Sequence, residues 1–150
     1  QKVGLGYTHQ WAQDYGYTDT TQYHALMYST NYSTALNTGS GKNLTSAQDC
    51  GRLLESIYRG ECVSKSASAK MLSLLKAQKV RNKIPSGIPS GVTVANKTGE
   101  VDDQSHDTAI VFSPNGDFII CIFCTAYNHG WSSAKYHGVL AKEVYSYFNS

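Results

Sequence analysis

The sequence of 150 residues is poor in charge and has no long run of charge of either sign. Lysine, arginine, aspartate and glutamate make up 16% of the chain, and the formal net charge is only +2. Nucleic-acid-binding domains carry clustered lysine and arginine, so no nucleic-acid partner is expected. No apolar run approaches the roughly 18 residues that a membrane span needs, so no transmembrane segment is expected in this chain. We therefore expect a soluble globular domain.

Cysteine is scarce as well, with four residues in the chain. A chain of this length can bury a sizeable core without cross-links, so a disulfide scaffold is not expected. Cys50 and Cys62 flank a predicted helix, and either a bridge or two thiols fits their positions. Cys121 and Cys124 have the CxxC spacing, but they lie in a predicted strand, where positions three apart face opposite sides. We interpret this second pair as buried structural thiols.

One long stretch lacks acidic residues altogether. Between Asp19 and Asp49 there is no aspartate or glutamate, and residues 22–42 are rich in tyrosine, serine, threonine, asparagine and glycine. The stretch has no clear helical or strand period, and a loop this long in a compact domain usually has a function or is disordered. It contains no carboxylate that could act as a general base.

Capping residues and apolar periodicity predict three helices before residue 83, and we interpret the second and third as structural. Helix-capping residues and glycines mark their ends. The expected boundaries are an N-cap at Thr8 and a stop at Gly16, an N-cap at Thr45 and a stop at Gly60, and an N-cap at Ser64 or Ser66.

The second half of the chain has the two-residue period of strands. Residues 92–97 form a β-branched apolar run, and residues 107–112 and 117–127 form two strands joined by a strong hairpin signal at 113–116. A final helix over 133–148 follows. Its expected core residues are Tyr136, Val139, Leu140, Val144, Tyr147 and Phe148. The fold class is therefore α+β, with a three-stranded antiparallel sheet packed with helices.

The first of these strands ends in residues that are able to bind an acyl compound. With the two-residue period of a strand, the side chain of Lys97 projects from a strand face that is otherwise apolar. Lys97, Thr98 and Gly99 place an ammonium, a hydroxyl and a glycine in a row, where an extended substrate can approach the backbone closely. Lys97 would attract a carboxylate, Thr98 would hydrogen-bond it, and the N–H of Glu100 would face a developing oxyanion. A solvated charge at a strand end is the alternative for Lys97.

These residues resemble the K-T-G element of class A β-lactamases and penicillin-binding proteins. The order IPSGIPSG at 84–91, K-T-G, then HDTAIV at 106–111 is similar to the C-terminal half of class A β-lactamase-like serine hydrolases. NLTS at 43–46 resembles the segment after their Ω-loop. The resemblance covers nearly the whole chain but only part of the family's domain, the β-lactamase/transpeptidase-like fold.

The resemblance implies acyl transfer on β-lactam or peptidoglycan-peptide amides, without a cofactor or metal. It also implies an exported protein, located outside the cell or in the bacterial cell envelope. It assigns catalytic roles to Lys97, Thr98 and Glu100, and substrate contacts to these three residues and Gly99. It also divides the single partial domain of residues 1–150 into parts. These are a helix and Ω-like loop over 1–44, a helical pair over 45–83, and the K-T-G strand, hairpin and last helix over 92–150.

Other charged residues near the strand allow more than one interpretation. Lys83 or Arg81 could serve as the auxiliary cation that some family members use here, but a solvated charge is the favoured interpretation of both. His106 and Asp107 are neighbours at a strand and face opposite ways, so they cannot pair directly. We expect Asp107 to anchor the strand and His106 to lie in a turn.

The family's nucleophile, a serine in S-x-x-K at the start of a helix, has no convincing counterpart. Ser73 begins a match inside an amphipathic helix, Ser132 begins one that follows Lys97 in the chain, and Ser29 begins a misplaced S-x-N. We therefore expect this chain to be the C-terminal part of a larger protein. The missing N-terminal half would carry the nucleophile, and without it an exposed sheet edge would favour self-association.

The acid-free loop bears on the type of activity. Class A β-lactamases place there a glutamate that activates the deacylating water. General-base assistance contributes about 10²–10⁴-fold, so an acyl-enzyme without it is expected to be long-lived. This absence favours a penicillin-binding or peptidase-like relative over an efficient β-lactamase.

Two further functions stay open. A non-catalytic module of the same fold could bind a cell-wall peptide, which the lack of a well-placed S-x-x-K favours if the chain is complete. A metal or redox site built from Cys121, Cys124, His106 and His129 is the other, and strand geometry disfavours it.

Overall fold

The computed structural model describes residues 5–22, 43–101, 103–125 and 134–150. They fall into two compact units, one that ends at Asp49 and one that begins at Cys50. None of the helices in these ranges combines the length and the apolar character needed to cross a membrane. The elements, in chain order, are α1 (Leu5–Asp14), α2 (Ala47–Arg59), α3 (Lys65–Lys76), a 3-10 helix (Ile84–Gly87), β1 (Thr93–Val101), β2 (Gln104–Phe112), β3 (Phe118–Thr125) and α4 (Ala134–Phe148).

The first unit contains α1 and a polar contact that holds the chain after it. The helix begins before Thr8, which therefore lies inside it, so the predicted N-cap is wrong. Gly16, at φ +76°, ends the helix as predicted, because glycine adopts this conformation without strain. Asp49 Oδ2 accepts hydrogen bonds from the Asp19 N–H at 3.0 Å and the Thr20 hydroxyl at 2.8 Å.

The two ends of the predicted long loop lie side by side. Thr21 and Leu44 form an isolated antiparallel bridge, with hydrogen bonds of 2.9 and 3.0 Å between their backbones. Residues 23–42 lie outside the described ranges. They contain Ser29 and most of the predicted loop that lacks aspartate and glutamate.

The ends of α2 and α3 follow their capping residues. Ser46, rather than the predicted Thr45, caps α2, because its hydroxyl accepts from a backbone N–H three residues later at 3.1 Å. Gly60, at φ +78°, follows the end of α2 as predicted. Ser64 is confirmed as the N-cap of α3, where it accepts from a backbone N–H three residues later.

The three strands form one antiparallel sheet in the order β1-β2-β3. This confirms the predicted α+β class with a three-stranded antiparallel sheet. Val101 pairs with Gln104, so only residues 102–103 connect β1 and β2, and the predicted turn is shorter than expected. His106 consequently lies inside β2 rather than in a turn. The predicted hairpin at 113–116 joins β2 to β3.

Both faces of the sheet are covered, which explains why five consecutive residues of β2, from Asp107 to Val111, are all buried. One core lies on the side of the 3-10 helix and α4; it contains Ile84, Ile88, Val94, Ala109, Val111, Phe118, Ile120, Ile122 and Ala141. The other lies on the side of α2 and α3; it contains Leu54, Ala95 and Ile110, with Leu72, Leu75 and Cys121 packed against them.

The last helix, α4, packs through a face other than the predicted one. The predicted core residues Tyr136, Val139, Leu140, Tyr147 and Phe148 are 46–78% exposed, whereas Val144 packs against the core as expected. The buried residues are Ala134, His137, Gly138 and Ala141. Small residues are needed because α4 approaches the 3-10 helix so closely that a Cβ at Gly87 would overlap the Gly138 carbonyl oxygen.

All four cysteines are thiols, so the bridge considered between Cys50 and Cys62 is not formed. Cys121 and Cys124 are half-buried, not fully buried as predicted. Burial raises the pKa of the Cys121 thiol to about 12, so this thiol stays protonated at neutral pH. Of the residues with described positions, no three His, Cys, Asp or Glu are grouped to hold a metal, and His129 lies outside them.

Candidate functional site

The strand β1 changes from buried to exposed at Lys97. The three residues before it are buried, whereas Lys97, Gly99 and Glu100 are exposed and Thr98 is half-buried. The four predicted site residues, 97–100, therefore form one continuous stretch of β1, which we call the K-T-G segment. In the part of the chain that the structure describes, β1 pairs with β2 alone. Its other edge offers backbone groups with which an extended ligand can pair.

The Lys97 ammonium is the exposed cation of this segment. It donates a hydrogen bond to the neighbouring Thr98 carbonyl oxygen. Within the described ranges no carboxylate forms an ion pair with it. Its charge is therefore available to an anionic ligand.

Packing within the described chain does not require a glycine at position 99. A Cβ at Gly99 would meet only the Cβ of His106, at 3.9 Å, which is an ordinary contact. Its φ is not positive either. Because glycine weakens a strand interior, a ligand that approaches the backbone closely gives a reason for glycine here.

Lys83 lies beside the site, although the auxiliary-cation role considered for it was not the favoured interpretation. It was expected to be solvated, but it is 0% exposed. Its Nζ lies 2.9 Å from Glu100 Oε1 and donates to the carbonyl oxygens of His106 at 3.1 Å and Gly99 at 3.5 Å. A buried ammonium thus contacts the K-T-G segment directly. Arg81, by contrast, is exposed as predicted.

Asp107 anchors the sheet to the 3-10 helix, as predicted. It is fully buried, and its carboxylate accepts from the Ile84 N–H at 3.0 Å and from Asn96 Nδ2 at 3.1 Å. Burial raises the pKa of Asp107, while the two hydrogen bonds and the nearby Lys83 and His137 offset part of that rise. Because Ile84 directly follows Lys83, this anchor also fixes where the ammonium lies.

His106 serves the site through its backbone rather than its ring. The ring stacks on Phe123 with centroids 4.4 Å apart, and Nδ1 accepts from the Cys124 N–H at 3.2 Å. Burial lowers the pKa of His106, in keeping with a neutral imidazole that accepts a hydrogen bond. The carbonyl group of His106 holds Lys83, and the ring faces β3.

Of the two sequence matches to S-x-x-K, one lies in the described residues. Ser73 is exposed in the third turn of α3, which begins at Lys65, and so it lies well inside the helix. Ser132 falls outside the described residues.

An antiparallel sheet of three strands covered by helices on both faces is a β-lactamase-like class of fold. The family model described as the beta-lactamase enzyme family matches residues 1–148, and the chain belongs to this family.

Solved structures support the assignment of the fold. PBP-A is 24% identical, with a TM-score of 0.76, and the match covers 97% of this chain and 52% of that one. TLA-1 extended-spectrum β-lactamase is 20% identical, with a TM-score of 0.82 and coverages of 98% and 55%. The β-lactamase from Sphaerobacter thermophilus is 16% identical, with a TM-score of 0.80 and coverages of 98% and 54%. The chain thus spans about half the length of these proteins. No curated protein matches it.

Proposed function

We propose that this chain supplies the ligand-binding strand of a penicillin-recognising serine hydrolase, which acts by acyl transfer on β-lactam or peptidoglycan-peptide amides. The observation that carries this proposal is the exposed segment from Lys97 to Glu100 at the edge of a buried sheet, with a glycine that packing does not require. A mutant of PBP-A, solved as an acyl-enzyme complex with penicillin G, supports a β-lactam as the ligand.

Each residue of the segment has a role in this proposal. The Lys97 ammonium attracts the ligand carboxylate, and the Thr98 hydroxyl donates a hydrogen bond to it. Gly99 lets the ligand backbone approach the strand. The N–H of Glu100 stabilises the negative charge that develops on the carbonyl oxygen under attack.

The nucleophile in this proposal lies outside the chain, in an N-terminal half of the domain whose strands also cover the sheet edge opposite β1, so that the edge of β1 stays open to the ligand. Without that half, the sheet edge that it covers is exposed and gives the chain a route to self-association. The proposed protein is exported to the bacterial cell envelope, where peptidoglycan peptides occur. The acid-free stretch between Asp19 and Asp49 supports slow deacylation rather than efficient β-lactam hydrolysis.

A binding module of the same fold is the second candidate. The position of Ser73 inside α3 favours it, because a nucleophile needs its lysine one turn later at a helix start. Such a module would hold a cell-wall peptide through the same strand without forming a covalent bond.

Replacing Lys97 by methionine tests the ligand site. We expect the affinity of the 150-residue chain for benzylpenicillin to fall at least about tenfold, because a charge-assisted hydrogen bond is lost. Stability should change by less than about 0.5 kcal/mol, since the side chain is exposed. Calorimetric titration measures the affinity, and Lys79→Met, which removes another exposed lysine, is the matched control. Equal affinities for the two variants would refute the role of Lys97.

A further inference from the structure

We propose that Glu100 occupies an anion position on Lys83 and competes there with the carboxylate of an incoming ligand. Glu100 would then help to set the charge preference of the K-T-G segment. The ligand class rests on the proposed function, whereas the anion position rests on the contacts of Lys83 alone.

The ammonium of Lys83 has all of its donors engaged. A lysine ammonium carries three N–H donors, and three oxygen acceptors surround this one. They are the carbonyl oxygens of Gly99 and His106 and the carboxylate of Glu100. A further anion can therefore bind to Lys83 only if one acceptor leaves.

Only one of these acceptors is able to leave without disturbing the sheet. Gly99 and His106 are register partners across β1 and β2, so their backbones are fixed by the ladder. The Glu100 side chain is 67% exposed, while that of Lys83 is 0% exposed. Rotation of the Glu100 side chain into solvent would uncover the ammonium and leave the two carbonyl contacts in place.

The position of this pair places it next to the proposed ligand. Glu100 directly follows Gly99, and its backbone N–H is the proposed oxyanion donor. While the Glu100 carboxylate stays on Lys83, the segment presents a single uncompensated cation, Lys97. When Glu100 leaves, a second cation becomes available to a carboxylate. Anionic ligands thus compete with Glu100, and neutral ligands do not.

The substitution Glu100→Gln tests this competition with acetate as the probe. Glutamine keeps an oxygen acceptor near Lys83 but removes the competing charge. We expect acetate, followed by the amide resonances of Gly99 and His106 in an NMR titration, to bind about two- to fivefold more tightly to the variant, the range of an exposed ion pair. Acetate should also raise the Tm of the variant more than that of the unmodified chain.

Two controls separate this effect from a general change in net charge and from binding that does not depend on the ligand's charge. Glu61→Gln removes an equal charge from another exposed glutamate and should leave acetate affinity unchanged. Acetamide, the neutral counterpart of acetate, should show no gain on Glu100→Gln. An equal acetate affinity for the two variants, or an equal gain for acetamide, would overturn the competition.

A parallel titration with benzylpenicillin distinguishes the inference from the proposed function. If the acetate effect appears but Lys97→Met does not alter benzylpenicillin binding, the anion position stands and the proposed function fails. If benzylpenicillin binding responds to Lys97→Met while Glu100→Gln changes the affinity for neither anion, the proposed function stands and the competition is refuted.

Discussion

Replacing Gly87 by alanine is expected to destabilise the second unit by about 3 kcal/mol or more, at or beyond the upper end of ordinary overpacking. The added Cβ would overlap the Gly138 carbonyl oxygen and lie 2.8 Å from its carbonyl carbon and 2.9 Å from the Lys142 nitrogen. These are backbone atoms of α4, so no side chain can rotate away. The helix would have to move as a whole, which would open the core around Ala141.

Urea denaturation followed by circular dichroism measures this loss. Gly51→Ala is the matched control, because Gly51 lies in α2 and its Cβ would meet only Cys121 Sγ, at 3.7 Å. Alanine is favoured over glycine in a helix by up to about 1 kcal/mol, so this control should be neutral or stabilising. If both variants unfolded at the same urea concentration, the close contact between α4 and the 3-10 helix would be wrong.

The substitution Asp107→Ala is expected to cost about 3 kcal/mol at neutral pH. It leaves two buried donors, the Ile84 N–H and Asn96 Nδ2, without their acceptor, and each such loss costs about 1–3 kcal/mol. The gain from no longer burying a charge offsets part of this cost. Asp103→Ala, which affects a half-exposed carboxylate in the turn, should change stability by less than about 0.5 kcal/mol. Equal urea midpoints for these two variants would contradict the anchoring role.

The cost of Asp107→Ala should also depend on pH. Burial raises the pKa of Asp107 above its ordinary value, so the folded state binds its proton more tightly than the unfolded state. This contribution to stability is fully present below the ordinary pKa of about 4 and is lost as pH rises through the folded-state pKa. The difference in unfolding free energy between the unmodified chain and Asp107→Ala should therefore be larger near pH 4 than near pH 7. A larger difference at pH 7 would contradict the sign of the shift.

The features that the sequence predicted well are local ones. Gly16, Gly60 and Ser64 end or begin helices through their own backbone or side-chain chemistry, and the turn at 113–116 specifies its hairpin in the same way. The face of α4 was not predictable on that basis. Apolar periodicity marks Tyr136 and Leu140, but the buried face is set by small residues that meet the 3-10 helix, about fifty residues earlier in the chain.

The candidate site likewise has one part that local sequence predicts and one part that depends on residues distant in the chain. The K-T-G segment is continuous in sequence, so its motif, strand and exposure could all be read locally. The burial of Lys83 could not, because its three acceptors come from residues 16–23 positions away that only the β1–β2 register brings together. Taken alone, a lysine beside an isoleucine and a proline gives no signal of a buried ion pair.

In the proposed function, this chain recognises the ligand while the nucleophile lies elsewhere. Mass spectrometry of the 150-residue chain after incubation with benzylpenicillin tests both parts, if native and denaturing spectra are recorded on one sample. We predict a complex with one benzylpenicillin under native conditions and the unmodified mass after denaturation. A mass increase of one opened β-lactam that survives denaturation would contradict the account, because it would place a nucleophile within this chain.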